Sequence, residues 1–222
     1  MDKRTILLYG RTNSGKTAQL GLLAEWVYKL TKKVTRLYTA DKGGTATIQP
    51  HIDLGQIQPV EIGGSDPWIF LNNAAKGNVR DKDGKWVPGN LKDIGLVAYE
   101  SLRSFAEELL GWQAVQAGKG INIGGGSNVS FTVQGDGQIL KIGGGNQTHY
   151  KVAQDRMQEE IWNSLKLDVP FIVWTSSVSK DDDTTASGKI LGPDVIGKAL
   201  TAEVPRWFHR TFRIDVLPAR DG

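Results

Sequence analysis

Apolar positions fall along this chain in two alternating rhythms. Short, almost unbroken runs at residues 5–9, 34–40, 94–99 and 171–174 have the character of strands, the last two buried on both faces. Between them apolar residues recur at helical spacing. Leu20, Leu23, Val27 and Leu30, widened by Leu22 and Trp26, mark a helix over 18–30, with Trp26 expected in the core. Leu102, Phe105, Leu109 and Leu110 mark another, and Val152, Met157, Ile161, Trp162 and Leu165 form the inner side of a third over 150–167. A short helix is expected after 192–198 and a last strand or strand pair within 207–216. Strands alternating with helices predict an α/β fold of three layers around a mostly parallel sheet of about five strands.

The stretches between these elements are less regular. Residues 45–64 carry Pro50, Pro59 and paired glycines, with a short strand expected only at 60–62; residues 67–75 suit a helical turn or two. Asp83-Gly84, between strand-like arms over 76–87, signals a hairpin carrying Lys76, Arg80, Lys82, Lys85 and Trp86. Basic residues beside an aromatic suit a single-stranded backbone, but Asp81 and Asp83 dilute the charge and favour an ordinary solvated hairpin. Residues 113–150 predict a second hairpin set between two triple-glycine hinges, 124–126 and 143–145. It has too few apolar residues for its own core, so it is read as a mobile insertion within one domain spanning 1–222. Such a loop would order against DNA or a neighbouring subunit, or remain a plain exposed hairpin. Residues 179–189 read as an acidic mobile loop.

The candidate chemistry sits where the first strand meets the first helix. Gly10, Arg11, Thr12, Asn13, Ser14, Gly15, Lys16 and Thr17 fill every fixed position of G-x-x-x-x-G-K-[S/T], in the strand–loop–helix context that the pattern requires. Gly10 and Gly15 would let the backbone turn and approach an anion. The loop N–H groups would converge on phosphates at the helix N-terminus. Lys16 would reach the β- and γ-phosphates of ATP, and the Thr17 hydroxyl would ligate Mg²⁺. Two strand-end acids are candidates to complete the site. Asp41 would hold Mg²⁺ or orient the attacking water, and Glu100 would bond the metal or its water shell, or act as base. Thr175, Ser176 and Ser177 close a central strand with hydroxyls that would sense the γ-phosphate or simply end the strand. Lys198, Arg206, Arg210 and Arg213 are the late cations, one of which would reach across a subunit boundary to a neighbour's ATP.

Composition narrows the class. At 222 residues the chain can bury a proper core, and 27 basic against 24 acidic residues leave a charge of +3, compatible with nucleic acid without arguing for it. No cysteine is present, which excludes disulfides and thiolate metal sites. No leader and no membrane-length apolar run is recognisable, so a soluble, cytoplasmic protein is expected. The D-x-x-G pattern at 41–44 is shared with GTPases, but no N-K-x-D guanine-reading motif accompanies it.

Taken in order, the loop at 10–17, the acid–glycine turn at 39–44, the strand–acid–Ser at 97–101, the strand at 169–175 and the Gly-Pro-Asp-x-x-Gly-Lys run at 192–198 give a resemblance. The chain resembles phage-encoded P-loop ATPases with a RecA-like core, including the Sak-type single-strand-annealing proteins. The resemblance implies a three-layer RecA-like P-loop core and makes Lys16 and Thr17 the nucleotide and Mg²⁺ residues. Asp41 takes the place of the water-activating acid and Glu100 that of the second acidic element, which is Asp in the family. It further implies a recombination role on single-stranded DNA, as a ring or filament, in a phage-infected bacterial host. The competing expectations are a phage assembly or packaging ATPase with a protein partner, a nucleotide-binding scaffold, and a small-molecule kinase. The kinase ranks last, because the loops are glycine-rich or acidic and not an arginine-bearing lid.

Overall fold

The computed structural model describes residues 2–40, 43–61, 66–118, 129–135, 138–144, 147–178, 192–196 and 198–215. In chain order the elements are β1 (Arg4–Gly10), α1 (Lys16–Thr31), β2 (Val34–Thr39), a 3₁₀ turn (Ala46–Ile48), α2 (Gln49–Asp53), β3 (Ile57–Glu61) and α3 (Pro67–Ala75). There follow β4 (Val79–Arg80), β5 (Trp86–Val87), β6 (Ile94–Glu100), α4 (Leu102–Gly118), β7 (Val129–Gly135) and β8 (Gln138–Gly144). Last come α5 (Gln147–Ser164), β9 (Phe171–Ser177), α6 (Lys198–Glu203), a 3₁₀ turn (Val204–Trp207) and β10 (Arg210–Ile214).

Six strands form one sheet in the order β10-β1-β9-β6-β2-β3, and every pairing in it is parallel. The sheet is thus one strand wider than the expected five. The additional strand is β3, an edge strand spanning Ile57–Glu61 where only a short strand at 60–62 was expected. Pro59 lies within it, which an edge tolerates because no outer neighbour requires its N–H. The 3₁₀ turn and α2 occupy the rest of that stretch. The inner strands β6 and β9 carry the continuous apolar runs that burial on both faces demands.

Side chains alternate between two cores. On one face Leu8, Leu37, Ala98 and Val173 pack under α1, whose buried stripe is Leu20, Ala24 and Val27. On the other, Tyr38, Tyr99 and Trp174 pack under α3, α4 and α5. Helices on both faces make three layers. The α1 stripe is narrower than its apolar residues suggested: Trp26 is 47% exposed and sets its ring edge-on against Phe171. Leu22, Leu30 and, on α5, Trp162 are likewise exposed, Trp162 resting edge-on against Trp207.

Both expected hairpins form, β4 with β5 and β7 with β8. The second lies along α4. Its Gly143 and Gly144 are ladder residues of β8, paired with Ser130 and Val129, so this glycine pair extends a strand where a hinge was expected. The first glycine run, 124–126, and the acidic loop at 179–189 lie outside the described residues. No helix among those described is long and apolar enough to cross a membrane.

Candidate functional site

A parallel sheet gathers its strand ends, and here β1, β9, β6 and β2 deliver Gly10, Ser177, Glu100 and Thr39 to one edge. The chain leaves β1 toward the α1 face, and the segment after β9 packs on the opposite face through Val195, Ile196 and Leu200. Adjacent strands whose connections part to opposite faces open a crevice at their carboxyl ends, the usual ligand position in α/β sheets.

The loop at 10–17 occupies that crevice. A Cβ at Gly10 would stand 2.1 Å from the Ile214 carbonyl oxygen and 2.7 Å from Ser14 Oγ, so the approach of β10 requires glycine there. Asn13 and Gly15 adopt positive φ, 62° and 86°, and the Ser14 N–H donates to the Arg11 carbonyl at 3.1 Å, which curls the loop before α1 starts at Lys16. Arg11, Thr12 and Asn13 are exposed, whereas Ser14 is buried with a hydroxyl that finds no hydrogen-bond partner.

Lys16 folds back over its own loop. Its Nζ donates to the Gly10 carbonyl at 3.1 Å and the Arg11 carbonyl at 2.8 Å. Partial burial lowers its pKa, and the Glu100 carboxylate opposes that shift. One residue on, the Thr17 hydroxyl donates to Glu100 Oε1, joining residues 83 positions apart in sequence. Glu100 is 5% exposed, and its carbonyl accepts from Ala40 N at 3.1 Å, so β2 is tied in beside it. The Glu100–Ser101 peptide is cis. Ser101 then caps α4, its Oγ accepting from Ser104 N at 3.3 Å.

Thr39 is the register partner of Glu100, and Thr175 that of Leu8, which places both threonines on the α1 face beside the carboxylate. Thr175 is 0% exposed, and its hydroxyl has no hydrogen-bond partner. Ser176 points the other way and donates to the Asp194 carbonyl at 2.9 Å. The three strand-end hydroxyl residues therefore divide. Thr175 belongs to the site face, while Ser176 and the Ser177 carbonyl, which accepts from Asp194 N at 2.6 Å, anchor the segment 192–196. An ion pair between Arg103 and Asp194, with a second from Arg103 to Glu107 at 2.6 Å, locks this segment to α4. Nothing in the local sequence announced that link, because its partners are separated by most of the chain's second half.

Asp41 lies outside the described residues. Among the late cations, Arg206 pairs with Glu203 at 3.0 Å and Arg213 with Asp215 at 2.9 Å; Arg210 opens β10 opposite Ile6, toward the other end of the sheet. The structure does not bring Arg206 or Arg210 to the loop of the same chain, and the Lys198 side chain lies outside the description. Trp86 is no free platform for a base. It packs edge-on against Phe70 at 5.6 Å, with the Arg80 guanidinium over its ring.

The donor set suits one metal class. A hydroxyl and a carboxylate are hard oxygen ligands, and Mg²⁺ is usually held by one or two protein oxygens with phosphates and water completing its shell. Thr17 and Glu100 fit that demand. Among the described residues no group of three or more His, Asp or Glu side chains could hold a metal unaided. A strand–loop–helix carrying the full phosphate-binding pattern at the edge of a three-layer parallel α/β domain is the class of protein that fold and motif define. No protein-family model matches the chain, and no curated protein matches it.

Proposed function

We propose that the chain is a Mg²⁺-dependent ATPase whose site is the loop Gly10 to Thr17 completed by Glu100. The observation that carries this reading is the hydrogen bond from Thr17 to the buried Glu100 carboxylate, directly behind Lys16. The loop amides and the start of α1 receive the phosphates. Lys16 exchanges two carbonyl partners for β- and γ-phosphate oxygens, a stronger charge-assisted pairing. Bound Mg²⁺ would neutralise charge on those oxygens, with Thr17 and Glu100 as its protein-side oxygens. Glu100 orients the attacking water and accepts its proton as the new P–O bond forms and the bond to ADP breaks. Thr175 offers a buried hydroxyl to the same water. The family resemblance gives Asp41 the place of the water-activating acid, so the attacking water falls to Glu100 or Asp41.

Adenine specificity, a RecA-like core, single-stranded DNA as partner, a ring or filament, and action inside a phage-infected cell rest on the resemblance. They are part of the proposal. Phosphate release from ATP, followed with and without single-stranded oligonucleotide at several protein concentrations, tests it. Hydrolysis should fall by about 100-fold or more in Lys16→Ala; wild-type turnover in that variant overturns the site. Stimulation by oligonucleotide, with binding that weakens steeply with salt, supports the DNA partner. Absence of retention at low salt removes that partner and favours the assembly ATPase.

A further inference from the structure

At the opposite end of the sheet from Lys16 lies a cavity of about 590 Å³. It is built by the segments that enter four adjacent strands: Lys3 before β1, Asp168 and Pro170 before β9, Asn90 and Lys92 before β6, and Lys33 before β2. Parallel strands enter at one end, so three lysines on three separate segments meet around one hollow. Asp168 is the carboxylate among its lining residues. Elsewhere Lys29 and Lys151 pair with acids one helical turn away, at 2.5 and 2.6 Å; Lys3, Lys33 and Lys92 form no ion pair among the described residues. Partial burial lowers the Lys3 pKa, and Asp168 offsets only part of that shift.

A fourth cation stands behind the wall. Arg36 is 5% exposed and donates to the carbonyls of Gly77 at 3.2 Å and Asn90 at 3.3 Å. It presses on Gly89, another wall residue, where a Cβ would come within 2.4 Å of Nη1. Carbonyl partners satisfy its hydrogen bonds without cancelling its charge, and among the described residues no carboxylate pairs with it. A buried cation with no counter-charge leaves a positive field in the adjoining space.

We propose that this cavity is a second anion site that takes a phosphate-bearing ligand, independent of the nucleotide loop. Its volume is in the range of small-molecule sites and exceeds what a single phosphate fills, so the ligand carries several phosphates, as a free polyphosphate or as a stretch of nucleic-acid backbone. Lysine ammoniums bind such groups as point charges without fixed geometry. The two sites share no residue and stand about 20 Å apart, the length of a seven-residue strand.

Titration calorimetry of inorganic tripolyphosphate into the Lys16→Ala protein at low salt isolates the cavity from the nucleotide loop. Binding should persist there and weaken by about tenfold or more when Lys33→Glu and Lys92→Glu are added, the scale of losing charge-assisted hydrogen bonds. Lys33→Gln with Lys92→Gln serves if charge reversal disturbs the thermal midpoint. No binding to Lys16→Ala, or binding indifferent to both lysine pairs, overturns the proposal. A labelled single-stranded oligonucleotide distinguishes the sources. Retention that falls in the lysine variants, with a salt slope shallower by about 2, assigns the cavity to nucleic-acid backbone. Unchanged retention alongside lost tripolyphosphate binding assigns it to free polyphosphate.

Discussion

One residue separates two very different surfaces on the same three strands. Tyr38, Tyr99 and Trp174 are register partners on β2, β6 and β9, and their rings stack at 5.4 and 4.2 Å. Each of the three polar tips has a partner: Tyr38 donates to the Asn78 carbonyl at 2.7 Å, Tyr99 to the Ala74 carbonyl at 2.9 Å, and Trp174 Nε1 to Ser164 Oγ at 3.0 Å. The next residue along each strand is Thr39, Glu100 and Thr175, pointing to the other face, where Thr17 reaches the carboxylate and Thr175 Oγ1 finds no partner. The aromatic ladder is closed, and each of its three polar tips is satisfied. The polar row is buried, and within it the Thr175 hydroxyl has no hydrogen-bond partner. A one-residue slip in register would exchange the two faces, so the ring ladder also fixes where Glu100 stands.

The largest expected effect on stability comes from breaking the ladder. Trp174→Ala should lower unfolding free energy by about 3–5 kcal/mol, measured by urea denaturation; a loss below about 1 kcal/mol would mean that the stack does not hold the sheet together. Across the register, Thr175→Val should act in the opposite sense. It removes a buried, unpartnered hydroxyl at nearly constant shape, so stability should rise by about 1 kcal/mol. ATP turnover should meanwhile fall by about tenfold. Lost stability in that variant would show that the Thr175 hydroxyl is satisfied in the fold. The remaining effect shows only at alkaline pH. Burial pushes the Tyr38 phenol up to about 12, from about 10 in an unfolded chain, and raises Tyr99 in the same direction. The fold therefore holds these protons more tightly than the unfolded chain, so stability should be level below pH 10 and fall as pH rises from there through 12. Tyr38→Phe should flatten that decline, and an unchanged alkaline limb would contradict the cause given.

The same alternation explains what could be read in advance. The buried strands β6 and β9 announced themselves because both faces are apolar, and Glu100 stood out as the acid that closes such a run. The strand–loop–helix junction at 10–17 was legible because a short apolar run, paired glycines and a helical pattern follow one another there. The β3 strand was legible only at its end, since an edge strand with Pro59 and outward polar residues carries no continuous run. Thr175 and Ser176 look alike in a list of letters. Register alone separates them, and register is set by partners on other strands. Trp26 showed the converse error, an apolar residue at helical spacing that lies on the rim of its face. Lys3, Lys33 and Lys92 lie far apart in sequence and meet only because parallel strands all enter the sheet at one end.

The proposed ATPase site stands or falls with Glu100 beside Lys16 and Thr17. Glu100→Gln keeps the size of the side chain and an oxygen for the Thr17 hydroxyl while removing the charge. ATP affinity and steady-state phosphate release are measured together on that variant with Mg²⁺ present. Binding should stay within about tenfold of wild type and turnover fall by about 100-fold or more. Phosphate release at the wild-type rate in Glu100→Gln would contradict the proposed site.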